Sequence, residues 1–147
     1  MIHFSELTVR TYHTDAFGHI NNSRYLELLE EARWRYSEDI GLTPLLYQQQ
    51  LGFIIIDMRL RFRVPVSDGE RLSIETSLIS LGSASGEVVQ TANIVSSQQK
   101  ALTSLFHFIL IERETGKSVP IEGDIRRLLL DVLETPEKKS DPTPQTS

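Results

Sequence analysis

Residues 12–34 read YHTDAFGHINNSRYLELLEEARW. A carboxylate, Asp15, sits in a short turn that Gly18 closes, and a strongly periodic segment begins seven residues later at Asn22. From 22 to 40 the apolar residues Tyr25, Leu26, Leu28, Leu29, Ala32, Tyr36 and Ile40 recur at three- and four-residue spacing. Glu27, Glu30, Glu31, Arg35 and Glu38 fall mainly between them. This is the pattern of a helix with one buried stripe. Asn21 or Asn22 can cap its start and Gly41 can stop it. The spacing brings the Asp15 carboxylate close to the unpaired N–H groups of the first helical turn, where the dipole favours negative charge.

Upstream, residues 3–11 alternate loosely and are rich in Phe, Leu, Thr and Val, which predicts a first strand. Downstream, a short helix is expected after Pro44, through Leu51, ended by Gly52. Residues 53–64 then open with four apolar residues and alternate. Met58, Leu60, Phe62 and Val64 take one face, and Arg59, Arg61 and Arg63 the other. Strands are predicted over 70–81, 87–95 and 101–112, separated by Asp68-Gly69, by a hairpin loop over 82–86 and by a turn at Thr115-Gly116. Ile125, Leu128, Leu129, Val132 and Leu133 mark a short C-terminal helix. The order is strand, long helix, then four more strands, which implies an α+β fold with an antiparallel sheet of about five strands. Only the 22–40 helix is long and apolar enough to fill the concave face, so the sheet is expected to wrap around it. One domain over 1–134 is expected, followed by a disordered tail over 135–147, where Pro, Lys, Ser, Asp, Thr and Gln dominate.

Bulk composition narrows the function classes. A chain of 147 residues with 39% hydrophobic content has enough length for one ordinary core. No apolar run approaches the ~20 residues a bilayer requires, so no membrane partner is expected. The N-terminus lacks a basic region followed by an apolar one, which argues against secretion. The absence of cysteine removes thiol nucleophiles and disulfides together and fits a cytoplasmic location. A net charge of −5 argues against a nucleic-acid partner, since phosphate affinity rests on clustered Lys and Arg.

The block around Asp15-x-x-Gly18, Asn21-Asn22 and Tyr25, with the looser Phe62-x-x-Pro65 and Asp68-Gly69, resembles the hotdog-fold acyl-CoA thioesterases. The group is the one typified by 4-hydroxybenzoyl-CoA thioesterase. NNSRYLELLEEARW is most similar to the bacterial long-chain acyl-CoA thioesterase III branch. The resemblance covers about residues 6–133. It implies an acyl-CoA substrate, no cofactor, and a homodimer or homotetramer with sites at the subunit boundary. It places the catalytic carboxylate at Asp15 and the thioester oxygen on the backbone N–H of Asn22. Several relatives carry His at the Asn22 position and Tyr just before the motif. Here Tyr12 is present and the His is not, which leaves acid–base work more fully to Asp15.

Thioester hydrolysis needs an activated water or a carboxylate nucleophile, together with donors for the developing oxyanion. An aspartate is ready for either role at neutral pH. The competing reading of Asp15 is an Asx-turn residue that pins the loop. His13, Asp15 and His19 match no standard zinc spacing, so no metal is expected. Tyr12, Gly18, His19 and Tyr25 are taken as substrate-binding, with His19 shaping the loop. His107, in an apolar strand, is expected as a hydrogen-bonded core residue, and Glu30 and Glu31 as a solvated or interface-facing helix side. Arg63, with Arg59 and Arg61, has the geometry to hold coenzyme A phosphates, and Ser83 and Ser85 to border the nucleotide. A solvated sheet face explains the arginines equally. The apolar residues Leu26, Leu29 and 53–56 suit either an acyl chain or a packed core. Three other functions remain open: an aryl-CoA or acyl-carrier-protein thioesterase, a hydro-lyase of the same fold on 3-hydroxyacyl thioesters, and a non-catalytic acyl-thioester carrier. A hydro-lyase would carry a His before Phe-Pro-Gly, and none is present.

Overall fold

The computed structural model describes residues 1–134, so the expected tail over 135–147 lies outside the described residues. Five strands, β1 (His3–Thr8), β2 (Leu51–Phe62), β3 (Arg71–Leu81), β4 (Ser85–Ile94) and β5 (Lys100–Glu112), form one antiparallel sheet in the order β1-β3-β4-β5-β2. Three α-helices accompany it: α1 (Asn22–Asp39), α2 (Leu42–Gln48) and α3 (Gly123–Val132). This is the hotdog arrangement. No α-helix among the described residues is long and apolar enough to cross a membrane.

Alternation writes the sheet. β3 buries Leu72, Ile74, Thr76 and Leu78, β4 buries Val88, Gln90, Ala92 and Ile94, and β5 buries Leu102, Ser104, Phe106, Phe108 and Leu110. All lie on one face because strand side chains alternate with period two. Against that face α1 presents Tyr25, Leu28, Leu29, Ala32 and Tyr36. Leu29 is fully buried, so trimming it to Ala carries the usual core cost of ~2–5 kcal/mol.

One helix does not cover the sheet alone. One core cluster joins the first half of α1 to Leu72, Ile74, Ala92 and Leu102. A second joins Tyr36 to Leu42 and Leu46 of α2, to Ile125, Leu129 and Val132 of α3, and to Leu78, Val88 and Leu110. The 18 residues of α1 span ~27 Å, so the far end of a twisted sheet needs the short helices.

Local boundaries differ from expectation for identifiable reasons. β1 stops at Thr8, and Thr11–His13 forms a 3-10 turn that redirects the chain toward Asp15. α2 begins before Pro44 because a proline in the first helical turn removes an N–H that has no acceptor there. β2 carries a register shift between Ile55 and Asp57. Phe53 and Ile55 pack inward before the shift and Leu60 after it, so the odd phase becomes the even phase. This is the effect of one extra residue in a strand. His107 is not a core residue. It falls on the outward phase of β5 and stands half-exposed, with Nδ1 3.4 Å from Asp57 and Nε2 3.4 Å from Glu87.

Two buried features generate measurable consequences. A side chain at Gly86 would place Cβ 2.8 Å from the Ser80 carbonyl oxygen and 2.4 Å from Phe108 Cζ. Gly86→Ala should therefore lower unfolding free energy by ~1–3 kcal/mol, read from the denaturant midpoint at unchanged slope. Tyr25 is 4% exposed and its hydroxyl is buried without a hydrogen-bond partner among the described residues. Burial pushes its phenol up to about 12 from the ordinary 10. The unfolded chain therefore loses this proton first as pH rises, and the stability the buried phenol contributes is intact below pH 10 and lost through pH 12. Tyr25→Phe should flatten part of the alkaline fall in thermal midpoint, and a wild-type curve level across that window would contradict the assignment.

Candidate active site

The loop from Asp15 to Asn21 is tied at both ends before α1 begins. The Asp15 N–H donates to the His19 carbonyl at 2.9 Å, the Gly18 N–H returns to the Asp15 carbonyl at 3.0 Å, and the Asn21 N–H reaches the His13 carbonyl at 2.8 Å. Gly18 has φ +78, a left-handed conformation that glycine adopts without penalty and that lets so short a loop close. The Ile20 N–H donates to the Val66 carbonyl at 2.9 Å and His19 bridges to Ser67, which fixes the loop against the segment after β2. His13 accepts the Arg10 N–H on Nδ1 at 2.8 Å. Burial first, then the Arg24 charge, lowers its pKa, in keeping with a neutral ring that accepts.

The helix start determines which donors remain. Asn21 is the cap: its Oδ1 accepts the Ser23 N–H at 2.8 Å, while the Arg24 and Tyr25 N–H groups return to the Asn21 carbonyl at 2.9 and 3.2 Å. Among the first four amides of α1, only the Asn22 N–H has no hydrogen-bond acceptor within the described residues. It is a free donor at the positive end of the helix.

Asp15, His19, Ile20, Asn22 and Tyr25 line one cavity of about 300 Å³. Its other wall is Phe62, Arg63, Val64, Pro65 and Val66, with Ala101 from the start of β5. The Asp15 carboxylate is exposed and engaged on one side only. Oδ1 accepts the Phe17 N–H at 2.9 Å, an Asx turn, and Oδ2 takes no hydrogen bond among the described residues. The turn thus occupies one oxygen of Asp15 and leaves the other without a hydrogen bond among the described residues. Arg63 stands at the rim, with Nε 3.2 Å from Thr103 Oγ1.

Other sequence-selected residues lie elsewhere in the chain. Tyr12 is exposed and stacks edge-on against His13 at 4.4 Å, outside the cavity lining. Ser85 pairs with Ile109 at the far end of β5 from Ala101, a separation of ~27 Å for eight residues of strand. The Ser83 carbonyl accepts the Ile121 N–H there. Arg59 and Arg61 are exposed beside Leu105 and Thr103 on the outer face. Sequence reasoning missed Ile20, Val66 and Ala101 in the cavity lining, and Ala101 reaches the site only through its pairing with the end of β2.

A larger apolar trough of about 720 Å³ runs between α1 and β2, flanked by Leu26, Trp34, Phe53, Ile54, Ile55 and Met58. Leu29 lies in the core instead.

Comparisons with known proteins agree with this geometry. The family model of the thioesterase-like superfamily matches residues 9–129. The long-chain acyl-CoA thioesterase FadM of Escherichia coli is 31% identical over 125 residues, covering 85% of this chain and 95% of FadM. The crystal structure of YbaW, a probable thioesterase from Escherichia coli, superposes with a TM-score of 0.81 at 30% identity, covering 89% of this chain and 98% of YbaW. For the fold alone, Slr0204, a 1,4-dihydroxy-2-naphthoyl-CoA thioesterase from Synechocystis, gives a TM-score of 0.79 at 16% identity, with 90% and 98% covered. The chain belongs to the thioesterase-like superfamily and is a thioester hydrolase.

Proposed function

We propose that this chain hydrolyses acyl-CoA thioesters to the free acid and coenzyme A, with medium to long fatty acyl chains as its substrates. The observation that carries the reading is the shared cavity: an exposed carboxylate with one free oxygen faces the same space as the unused amide of Asn22. With the thioester carbonyl oxygen on the Asn22 N–H, charge that develops on that oxygen meets a fixed donor and the helix dipole. Asp15 then acts on the carbonyl carbon in one of two ways. It takes a proton from an attacking water, or it attacks directly and the resulting anhydride is hydrolysed. In both, the carbon–sulfur bond breaks and the electron pair leaves with sulfur as thiolate. No cofactor takes part.

The trough along α1 supports an aliphatic acyl chain, since its walls are mainly apolar and it lies beside the cavity on the same helix. The 31% identity to a long-chain acyl-CoA thioesterase supports the same choice. Arg63 at the cavity rim is the basic residue, among those described, that lines this cavity and could meet a coenzyme A phosphate.

A homodimer or dimer of dimers completes the proposal. β2 is an edge strand of 12 residues whose outer edge is unpaired among the described residues, and Ile54, Ile56, Met58 and Phe62 leave apolar surface exposed on it. Long exposed apolar edges are templates for pairing with another chain.

Asp15→Asn keeps an acceptor for the Phe17 N–H, so folding should survive while kcat falls by ~100-fold or more, followed by thiol release from acyl-CoA. Near-normal turnover by this variant would end the assignment. Across saturated acyl-CoAs from butanoyl to octadecanoyl, kcat/KM should climb up to ~fourfold for each added methylene until the trough is filled. A preference for acetyl or aryl thioesters would overturn the aliphatic choice.

A further inference from the structure

The cavity and the trough follow one another along two elements that run side by side. On α1, Asn22 and Tyr25 line the cavity, while Leu26, Glu30, Arg33 and Ser37 line the trough at successive turns. On β2, Phe62 lines the cavity, and the trough then takes Met58, Ile55 and finally Gly52. Helix numbers rise and strand numbers fall in the same direction, so both elements lead away from Asp15. The stretch of α1 from Asn22 to Ser37 covers ~22 Å, and that of β2 from Met58 to Gly52 covers ~20 Å.

At the far end the trough meets an aromatic ring that is held in place. Tyr47, in the last turn of α2, lines the trough together with Gly52 and Arg113. The Arg113 guanidinium lies over the Tyr47 ring, 4.4 Å from its centroid. Arg113 is itself tied down. Its Nε donates to the Leu51 carbonyl at 2.9 Å and its N–H to the Gln50 carbonyl at 3.0 Å, while the Gln50 N–H returns to the Tyr47 carbonyl at 3.2 Å. Tyr47 is 55% exposed and belongs to neither core cluster, so packing of the core does not account for the ring. Gly52 leaves room beside it: an added Cβ would come no closer than 3.5 Å to Arg113 Nε.

We propose that Tyr47, steadied by Arg113, ends the acyl trough and sets the longest chain that can be buried. The inference rests on the acyl-CoA reading above and adds the residue that limits length. Three backbone bonds span at most ~3.6 Å, so an extended alkyl chain advances ~1.2 Å per bond and ~16 to 18 carbons fill ~20 Å. Carbons beyond that meet the ring instead of an open apolar wall. They remain in water and add nothing to binding.

The test is a series of saturated acyl-CoAs run on wild type, Tyr47→Ala and Tyr47→Phe, with kcat/KM read from thiol release. For wild type the climb with length should stop at ~16 to 18 carbons. Tyr47→Ala should move that stop ~2–4 methylenes longer, with kcat/KM raised up to ~fourfold for each methylene newly buried. Tyr47→Phe keeps the ring and should stop where wild type does. A stop unmoved in folded Tyr47→Ala, or moved equally in Tyr47→Phe, would overturn the role. Should Tyr47→Ala not fold by circular dichroism, Gly52→Val decides with the opposite sign. Its isopropyl group beside Arg113 should shorten the longest useful chain by ~1–2 methylenes, and an unmoved stop overturns the proposal. If wild type shows no climb with chain length, the aliphatic reading and this one fall together. A wild-type climb that ignores Tyr47 leaves hydrolysis of fatty acyl thioesters standing and removes the length limit alone.

Discussion

A buried carboxamide governs where the long helix sits. Gln90 is fully buried on β4, and its Nε2 donates at 3.0 Å both to the Leu29 carbonyl, midway along α1, and to Thr76 Oγ1 on β3. Its Oε1 accepts from Arg33, and its backbone carbonyl accepts Ser104 Oγ at 2.7 Å from β5. Apolar packing alone would let a helix slide along a sheet at little cost, because dispersion contacts are weak and non-directional. A satisfied hydrogen-bond network in a low-dielectric interior has one geometry, and a shifted helix would leave buried groups unpaired. Three strands and the helix thus share one reference point, and the position of the helix start follows from it.

From that reference point the site is assembled by backbone bonding. The Asp15–Asn21 loop is held to itself, to the 3-10 turn and to the Val66–Ser67 segment, all through main-chain groups. Side chains in the loop are consequently spared for other work. Asn21 uses its amide to cap, which leaves the neighbouring Asn22 amide as the unspent donor of the first turn. Asp15 divides its carboxylate between holding the turn and facing the cavity. The arrangement places an acceptor and a donor on two rigidly joined elements, and such preorganisation costs nothing when charge develops between them.

Much of this was legible in the chain, for physical reasons that also mark where legibility ended. The helix was readable because its apolar residues recur at the helical period over 18 positions, and the four later strands because each alternates or is bounded by Gly or Asp-Gly. The glycine turn and the Asn pair announced the loop and the cap. His107 was misplaced because an apolar strand buried on one face looks the same as one buried on both, and only the register with Asp57 and Glu87 reveals the outward phase. The share of the sheet covered by α2 and α3 could not be read, since it depends on sheet twist. Gln90 could have been noticed: a polar residue in phase with Val88 and Ala92 on an inward face needs a partner. Ala101 offered no signal, because strand pairing alone puts it beside Phe62 and Val64.

The displaced phase in β2 ties the integrity of the whole edge to a single inserted position. Upstream of it, odd-numbered side chains meet the helices; downstream, even-numbered ones do. Were Ile56 drawn into the ladder so that all twelve residues ran as one uniform zigzag, Arg59 and Arg61 would turn toward the interior and Leu60 out to water. The strand therefore behaves like a message read in two frames, with one extra letter between them that keeps the second half in sense. Loss of Ile56 itself would leave both halves facing as they do, whereas loss of a residue farther along would turn everything after it to the other face.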